Sequence, residues 1–432
     1  MGADRRYPDS VILNRLLLAS RRSRVGVDGL NPALLRGVGK QMGGKLAAVT
    51  LALGQGPDSR PVITSCRIDG DFFTEPAPTS SRESEDDHGP VSRLESAICR
   101  IPLPLDPGLA LKRLGRIMAE GDGQRVVGVS PWTLVTALER ALPSGLVIHR
   151  HEEPDQASFQ QSQPDEVECR RRWSGLKLDL IRDRPRQPAM QMAMDQALND
   201  AVAQGQLPPT LRIWNWAAPA VILGRFQSLS REVHVERARS LGFTLVRRCT
   251  GGGTMVIQPD RAITYSLYLP LDFVKGTDLI DSYRICDYWL IRGLRMQGIQ
   301  AGWQGMNDIA SPRGKMGGAA QRRLPAGSRG PGGLLHHTTL SYSVDADLMA
   351  QVLNVDPAKF HDKAVNSVKS RVDPIDRQTS LTRQSLIDAL LDTLPSLVSD
   401  LRISSPAPEV EQRARTLAQQ RYGRGEWTAQ IA

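Results

Sequence analysis

The clearest hydrophobic pattern lies in the second half of the chain. Between Ala189 and Ala203, the positions Met190, Ala193, Met194, Ala197, Leu198 and Ala201 recur at helical spacing, which predicts a helix with one apolar face. Leu211–Trp216 and Ala220–Leu223 read as strands, followed by a short helix over Val233–Leu241 and a strand over Phe243–Arg247. Ile263, Tyr265, Leu267 and Leu269 alternate as they would on the buried face of a strand. A helix over Leu279–Met296, a strand over Leu335–Tyr342 and a helix capped by Asp345 and ending near Leu353 continue the region. The tail after Pro406 reads as helical and polar. In the first third, Lys45–Leu53 and Val62–Ile68 are strand-like, while Leu105–Ala119 and Pro131–Ala141 are helical, with Ser130 as N-cap and Pro131 in the first turn. Val11–Leu18 is weakly amphipathic.

Strands and helices mix without a regular strand–helix–strand beat. The pattern therefore predicts an α+β fold of mixed sheets packed with helices, preceded by a smaller α+β unit. Polar stretches mark the seams. His151–Cys169 contains no Lys or Arg and few apolar side chains, which predicts a flexible acidic linker over 151–172 between a first domain, 1–150, and a second, 173–432. Pro76–Arg93 reads as a disordered loop. Ala310–Gly333, rich in Gly, Arg and Pro, reads as a long loop of the functional kind.

Composition narrows the classes. A chain of 432 residues with 40% hydrophobic residues can bury sizeable cores, which excludes a wholly disordered chain or a disulfide-stapled miniprotein. The five cysteines are scattered, with no Cys-x-x-Cys pair for zinc or redox exchange, and point to reduced thiols in the cytoplasm. The early apolar run Ser10–Ser20 is broken by Asn14 and Arg15, so no leader is expected, and no stretch reaches the ~20 apolar residues of a membrane span. The net charge of +9 is spread along the chain and reads as a solvated surface suited to steering acidic partners; neither nucleic acid nor membrane is expected as a partner.

Two glycine-rich segments carry candidate chemistry. In Arg247-Arg248-Cys249-Thr250-Gly251-Gly252-Gly253-Thr254, three glycines let backbone approach a ligand closely, and two arginines can pair with a carboxylate or phosphate. A hairpin turn with solvent-facing arginines would share this pattern. The segment fits neither the P-loop nor the dinucleotide-turn spacing. In Gly314-Lys315-Met316-Gly317-Gly318-Ala319-Ala320-Gln321, a lysine flanked by glycines can reach a negatively charged intermediate; a solvated loop lysine is the plainer alternative. Asn307-Asp308, just upstream, offers polar groups for a phosphate-bound metal or for a turn. The adjacent His336 and His337 face opposite sides of a strand, which argues against one shared metal ion.

Taken in order, these pieces resemble the catalytic domain of lipoate–protein ligases, within the biotin/lipoate ligase superfamily, over about Trp173–Asp373. The matching pieces are Met192-Ala193-Met194-Asp195-Gln196-Ala197-Leu198, Gly224-Arg225-Phe226-Gln227, Arg247-Arg248-x-Thr250-Gly251-Gly252-Gly253, Asn307-Asp308-Ile309, the Lys315 motif, Leu335-His336-His337-x-Thr339-Leu340 and Ser367-Val368-x-Ser370-Arg371-Val372. In the first domain, Lys40-x-x-Gly43-Gly44-Lys45-Leu46 and Ile68-x-Gly70-Asp71-Phe72-Phe73 are similar to the accessory domain of bipartite lipoate ligases, here placed ahead of the catalytic part.

The resemblance implies a class II synthetase-like catalytic fold and a two-step reaction. Lipoate or octanoate attacks the α-phosphate of ATP, and a carrier-protein lysine then takes the acyl group from the adenylate, with Mg²⁺ as cofactor. It implies Lys315 as the catalytic residue. It implies a binding set of Arg225, Arg247, Arg248, Thr250, Gly251, Gly252, Gly253, Asn307, Asp308, Gly318, Ala320, His337 and Thr339, with Asp308 the candidate Mg²⁺ ligand. The acceptors implied are lipoyl domains, the H protein or lipoate-binding proteins. Two positions depart from the family pattern: Ile257 stands where His is common, and Arg261 where a small Asn is usual. The rival readings are an octanoyltransferase of the same superfamily, which uses a cysteine and no ATP, and a non-catalytic module that binds lipoyl carriers.

Overall fold

Three antiparallel strands open the described part of the chain: β1 (Leu35–Gly39), β2 (Ala47–Gln55) and β3 (Pro61–Gly70), in the order β1-β2-β3. The computed structural model describes residues 34–41, 44–76, 89–119, 124–148, 165–328, 330–354 and 372–431. The chain divides into two compact units, Met1–Gly70 with Asp86–Gln156, and Asp71–Glu85 with Ala157–Ala432. Val11–Leu18, Gly43 and the segment Ser367–Arg371 lie outside the described residues.

In the first unit, helices α1 (Gly89–Ile98), α2 (Pro107–Ala119) and α3 (Pro131–Ala141) accompany the sheet. Both sequence-predicted strands and both predicted helices are present. Of the polar stretch Pro76–Arg93, residues 77–88 lie outside the described residues and the last five open a helix, Gly89–Ile98, because Val91, Leu94, Ala97 and Ile98 fall on one buried face; the Glu95 carboxylate accepts from the Ile68 backbone N–H at 2.8 Å. At α3 the cap is as the sequence suggests. Ser130 accepts from the Thr133 N–H and Thr133 answers with a bond to the Ser130 backbone, closing a capping box. Ser130→Ala is expected to destabilise this unit by about 1 kcal/mol, read as a lower denaturant midpoint with an unchanged slope.

The second unit begins with β4 (Phe73–Pro76). After β5 (Gln124–Val127) of the first unit, helix α4 (Glu166–Ser174) leads into it. Of the expected linker, residues 151–164 lie outside the described residues, and its end is helical. Asp165 caps the helix, Arg171 and Arg172 both pair with Glu168 at 2.7 Å, and Trp173 is fully buried with its indole N–H on the Ile285 carbonyl. The acidic composition of 166–168 serves the helix N-terminus.

Eight strands then form a mixed sheet: β6 (Lys177–Arg182), β7 (Thr210–Trp214), β11 (Ala262–Pro270), β12 (Gly302–Gln304), β13 (Asp308–Ser311), β14 (Gly314–Leu324), β15 (Gly333–Ser341) and β16 (Asp400–Ser404). Their order is β12-β13-β14-β15-β11-β7-β6-β16, parallel only where β6 meets β7 and β16. A second, three-stranded sheet holds β8 (Ala220–Leu223), β9 (Thr244–Arg247) and β10 (Met255–Ile257) in the order β10-β8-β9. Helix α5 (Pro188–Ala203) covers one face of the large sheet, and α6 (Leu279–Met296) lies in the core on the other. Ile263, Tyr265, Leu267 and Leu269 join the α6 core and Tyr268 the α5 core, so β11 is buried on both sides. Helix α7 (Ala346–Val352) starts at Asp345, whose side chain accepts from the Leu348 N–H. The α+β architecture read from the pattern is the one observed.

Much of the expected long loop over 310–333 is instead the strand Gly314–Leu324. β14 pairs with β13 on one side and β15 on the other, so the sheet supplies the backbone partners that its small residues cannot earn through burial. Among the described residues no helix is long and apolar enough to cross a membrane.

Candidate functional site

A cavity of about 270 Å³ opens over the sheet between β14, β15 and the glycine segment after β9. Met192, Trp214, Trp216, Met255, Val256, Ile257 and Ala262 give it an apolar wall, while Lys315, Asn307, Thr339, Ser341 and Arg261 give it a polar one. Sequence reasoning missed the apolar wall. Trp214 and Trp216 sit at the end of β7, and only the pairing of β7 with β11 brings them to the site. The two positions that depart from the family pattern, Ile257 and Arg261, both line the cavity.

Lys315 owes its place to an irregularity in the sheet. Ala310 pairs with Lys315 and Ile309 with Gly317, so Met316 is the extra residue of a β-bulge. The bulge buries Met316 completely and turns Lys315 toward the cavity, where its side chain keeps 47% of its exposure and its ammonium donates to Asp308 Oδ1 at 2.7 Å. The lysine lies across Gly318: a Cβ there would stand 3.3 Å from Nζ. Its carbonyl accepts from the Asp373 N–H at 2.8 Å, tying β14 to the chain beyond Val372.

The glycine segment is held from behind. Arg248 is buried and lowered to about 10 by desolvation; its guanidinium donates to Thr250 Oγ1 at 2.9 Å, to the Gly251 carbonyl at 2.6 Å and to the Gly253 carbonyl at 2.9 Å. Gly252 adopts φ +91, a conformation L side chains rarely take. On the far side, the Gly252 N–H reaches the Phe72 carbonyl at 3.4 Å, and the Phe72 ring stacks on Phe226 with centroids 4.9 Å apart.

Of the residues suggested by sequence, Arg248, Gly252, Gly253, Asn307, Lys315, Gly318, Ala320, His337 and Thr339 line the cavity. Arg225, Arg247, Thr250, Gly251 and Asp308 stand behind or beside it. Arg247 lies away from the cavity lining: fully buried, it donates to the carbonyls of Gly224, Arg225, Gln227, Thr428 and Ile431, so its donors serve backbone. The Arg225 guanidinium lies 4.3 Å over the Trp427 ring. Asp308 is partnered with Lys315, and among the described residues no group of three His, Cys, Asp or Glu side chains is placed to hold a metal. A magnesium nucleotide needs no such group, because it takes one or two carboxylates and gains its other ligands from phosphates and water. Asp308 fits that modest role.

His336 and His337 point to opposite faces, as strand geometry requires. His336 Nε2 meets Asp287 at 2.9 Å on the α6 side, and His337 Nδ1 meets Asp195 at 2.7 Å on the α5 side. None of the cysteines lines the cavity. Cys169, Cys249 and Cys286 are buried, and burial pushes Cys169 up to about 12 and Cys286 well above the usual thiol range.

The mixed sheet, the bulged lysine and the glycine segment together form a fold of the lipoate ligase type. Residues 187–395, just under half of the chain, match the sequence model of the lipoyl protein ligase A/B catalytic domain. It is 27% identical over 264 residues to an octanoyltransferase LipM of Brevibacillus brevis, covering 56% of this chain and 94% of the relative. It is 28% identical over 256 residues to lipoate-protein ligase A subunit 1 of Thermoplasma acidophilum, covering 57% and 94%. In structure it is similar to the bipartite lipoate protein ligase of Thermoplasma acidophilum, solved with its E2 lipoyl domain, with a TM-score of 0.52, 25% identity and coverage of 60% of this chain and 98% of that one. A lipoate-protein ligase A bound with ATP shares the fold, with a TM-score of 0.50, 22% identity and coverage of 60% and 100%.

Proposed function

We propose that the protein is an ATP-dependent lipoate or octanoate ligase that forms an acyl-adenylate and passes the acyl group to a lysine of a lipoyl carrier domain. One observation carries this reading: the cavity presents the Lys315 ammonium and, among its described lining residues, no thiol. The octanoyltransferases among the relatives suggest transfer without ATP, a route that needs a nucleophile to hold the acyl group. The cysteines of the second unit are buried and, where shifted, held in the thiol form, so none suits that task.

The apolar wall suits a medium acyl chain and the polar wall an adenylate. In the first step a carboxylate oxygen of the acid attacks the α-phosphorus and pyrophosphate leaves. Lys315 stabilises charge on the phosphate and acyl oxygens, while the walls hold the reactants in line and exclude water. In the second step the carrier lysine, as a free amine, attacks the acyl carbon and AMP leaves. Asp308 would hold Mg²⁺, which neutralises phosphate charge when bound. The first unit would act as an accessory domain, a role supported by the order of its Lys40–Leu46 and Ile68–Gly70 motifs.

The test is to mix the protein with Mg²⁺, lipoate or octanoate and an apo lipoyl domain, with and without ATP, and to weigh the domain by mass spectrometry. Acylation that needs ATP, and that survives Cys249→Ser with Cys286→Ser, is the expected result. Acylation without ATP from an octanoyl-loaded donor, abolished by either serine, would overturn it.

A further inference from the structure

Behind the cavity, a continuous buried chain of polar groups ends on the glycine segment. Asp195 of α5 is about 1% exposed and accepts from Ser266 Oγ at 2.8 Å and Tyr268 Oη at 2.6 Å, both on β11. Its other oxygen stands 2.7 Å from His337 Nδ1. A carboxylate in this site only accepts, so Nδ1 carries the imidazole proton and Nε2 presents a lone pair. Thr250 Oγ1 lies 2.8 Å from that Nε2 and therefore donates its hydroxyl proton to it, while accepting from Arg248 Nε at 2.9 Å. Arg248 in turn grips the carbonyls of Gly251 and Gly253. In a trans peptide the C=O and the following N–H point oppositely, so pinning the Gly253 carbonyl sets the direction of the Thr254 N–H.

We infer that Asp195, His337 and Thr250 form a relay of positioning residues that fixes Arg248 and the glycine segment in the conformation able to bind the acyl-adenylate. Thr250 is 1% exposed and is absent from the cavity lining among the described residues, so the arrangement, although it has the order of a hydrolytic triad, does not present a nucleophile. Every donor and acceptor in the relay has one assigned direction, and a buried network that is fully satisfied holds one geometry. A proton on His337 Nε2 reverses that bond: Thr250 Oγ1 would then accept from both His337 and Arg248, and its own hydroxyl proton would lose its acceptor.

The groups facing His337 are Asp195 from α5, Arg248 from the segment after β9 and His336 from its own strand, with Arg212 and Tyr268 facing Asp195. Burial outweighs Asp195 and lowers His337 below the ordinary histidine value, so the relay is intact at neutral pH and is lost as pH falls through that lowered value.

The inference rests on the ligase reading for its catalytic consequence, and the experiment separates the two. Thr250→Val, Thr250→Ser and Asp195→Asn are compared with wild type by histidine NMR titration, by amide exchange over Gly251–Thr254 and by acyl-adenylate formation. Removing the Thr250 hydroxyl removes a donor to neutral imidazole, so Thr250→Val should raise the His337 pKa; Asp195→Asn should lower it, since the carboxylate favours the cation. Exchange over the glycine segment should quicken in Thr250→Val and return to wild type in Thr250→Ser. Adenylate formation should fall roughly ten- to a hundred-fold in Thr250→Val, with Thr250→Ser restoring most of it. An unmoved His337 titration, or unchanged exchange in Thr250→Val, overturns the relay. If wild type makes no adenylate, the ligase reading falls, while the titration and the exchange still judge the relay.

Discussion

On the proposed ligase reading, Lys315→Ala is expected to lower ATP-dependent lipoyl transfer by about a hundred- to a thousand-fold, the cost of removing one preorganised donor from a site where charge develops. The reasoning is geometric. The β-bulge at Met316 turns the lysine to the cavity edge, its ammonium is held on Asp308, and its side chain still keeps 47% of its exposure, so it is free to change partner when phosphate arrives. An exposed ion pair of this kind contributes little to folding, so the variant should unfold within about 0.5 kcal/mol of wild type. The measurement pairs a thermal melt with AMP release and carrier mass. A melt like that of wild type with transfer as fast as wild type would remove Lys315 from the mechanism. Lys315→Arg is expected to recover only part of the rate, because a planar five-donor fork does not replace a compact point charge.

Arg247→Met destabilises the second unit by roughly 3–5 kcal/mol, since several buried carbonyls lose their donor at once. In a domain of this size that lowers the melting temperature by roughly 6–20 °C. The carbonyls come from three places: the turn Gly224–Gln227, residue Thr428 and residue Ile431. Trp427 closes the arrangement by donating its indole N–H to the Arg247 carbonyl at 2.8 Å. Arg247 thus joins the end of β9 to the C-terminal helical segment, and Arg247→Lys recovers little because three donors cannot serve five acceptors. Thermal melts of both variants beside KM for lipoate decide the matter. A raised KM at an unchanged melting temperature would mean that Arg247 binds ligand after all.

The two arginines show where reading along the chain stops. Side by side in sequence, Arg247 and Arg248 look alike as anion partners. Adjacent residues in extended backbone point to opposite sides, so one faces the C-terminal segment and the other the glycine segment, and no local pattern records which. The same limit applies to Glu166–Ser174. Up to residue 172 it falls within the stretch read as linker, yet Trp173 next to it inserts into a core built from helix α6 and the strands of the large sheet, and burying that indole anchors the helix that precedes it. The segment 314–324 reads as loop because glycine and arginine are poor strand formers, and it is a strand because neighbours on both sides complete its backbone bonds.

By itself the sequence determined what local physics and motif chemistry can reach. Helical and strand periods marked most elements of both units, the Ser130 and Asp345 caps set two helix starts, and the glycine-flanked lysine and the triple glycine marked the candidate site. Tertiary structure alone decided the rest. It set which strands became neighbours and brought Trp214 and Trp216 to the apolar wall of the cavity. It also placed a bulge under Lys315, and joined Asp195 to Thr250 through His337 across distant parts of the chain. Those outcomes depend on contacts between residues far apart in sequence, whose partners are chosen by packing and hydrogen-bond satisfaction of the whole sheet rather than by any local preference.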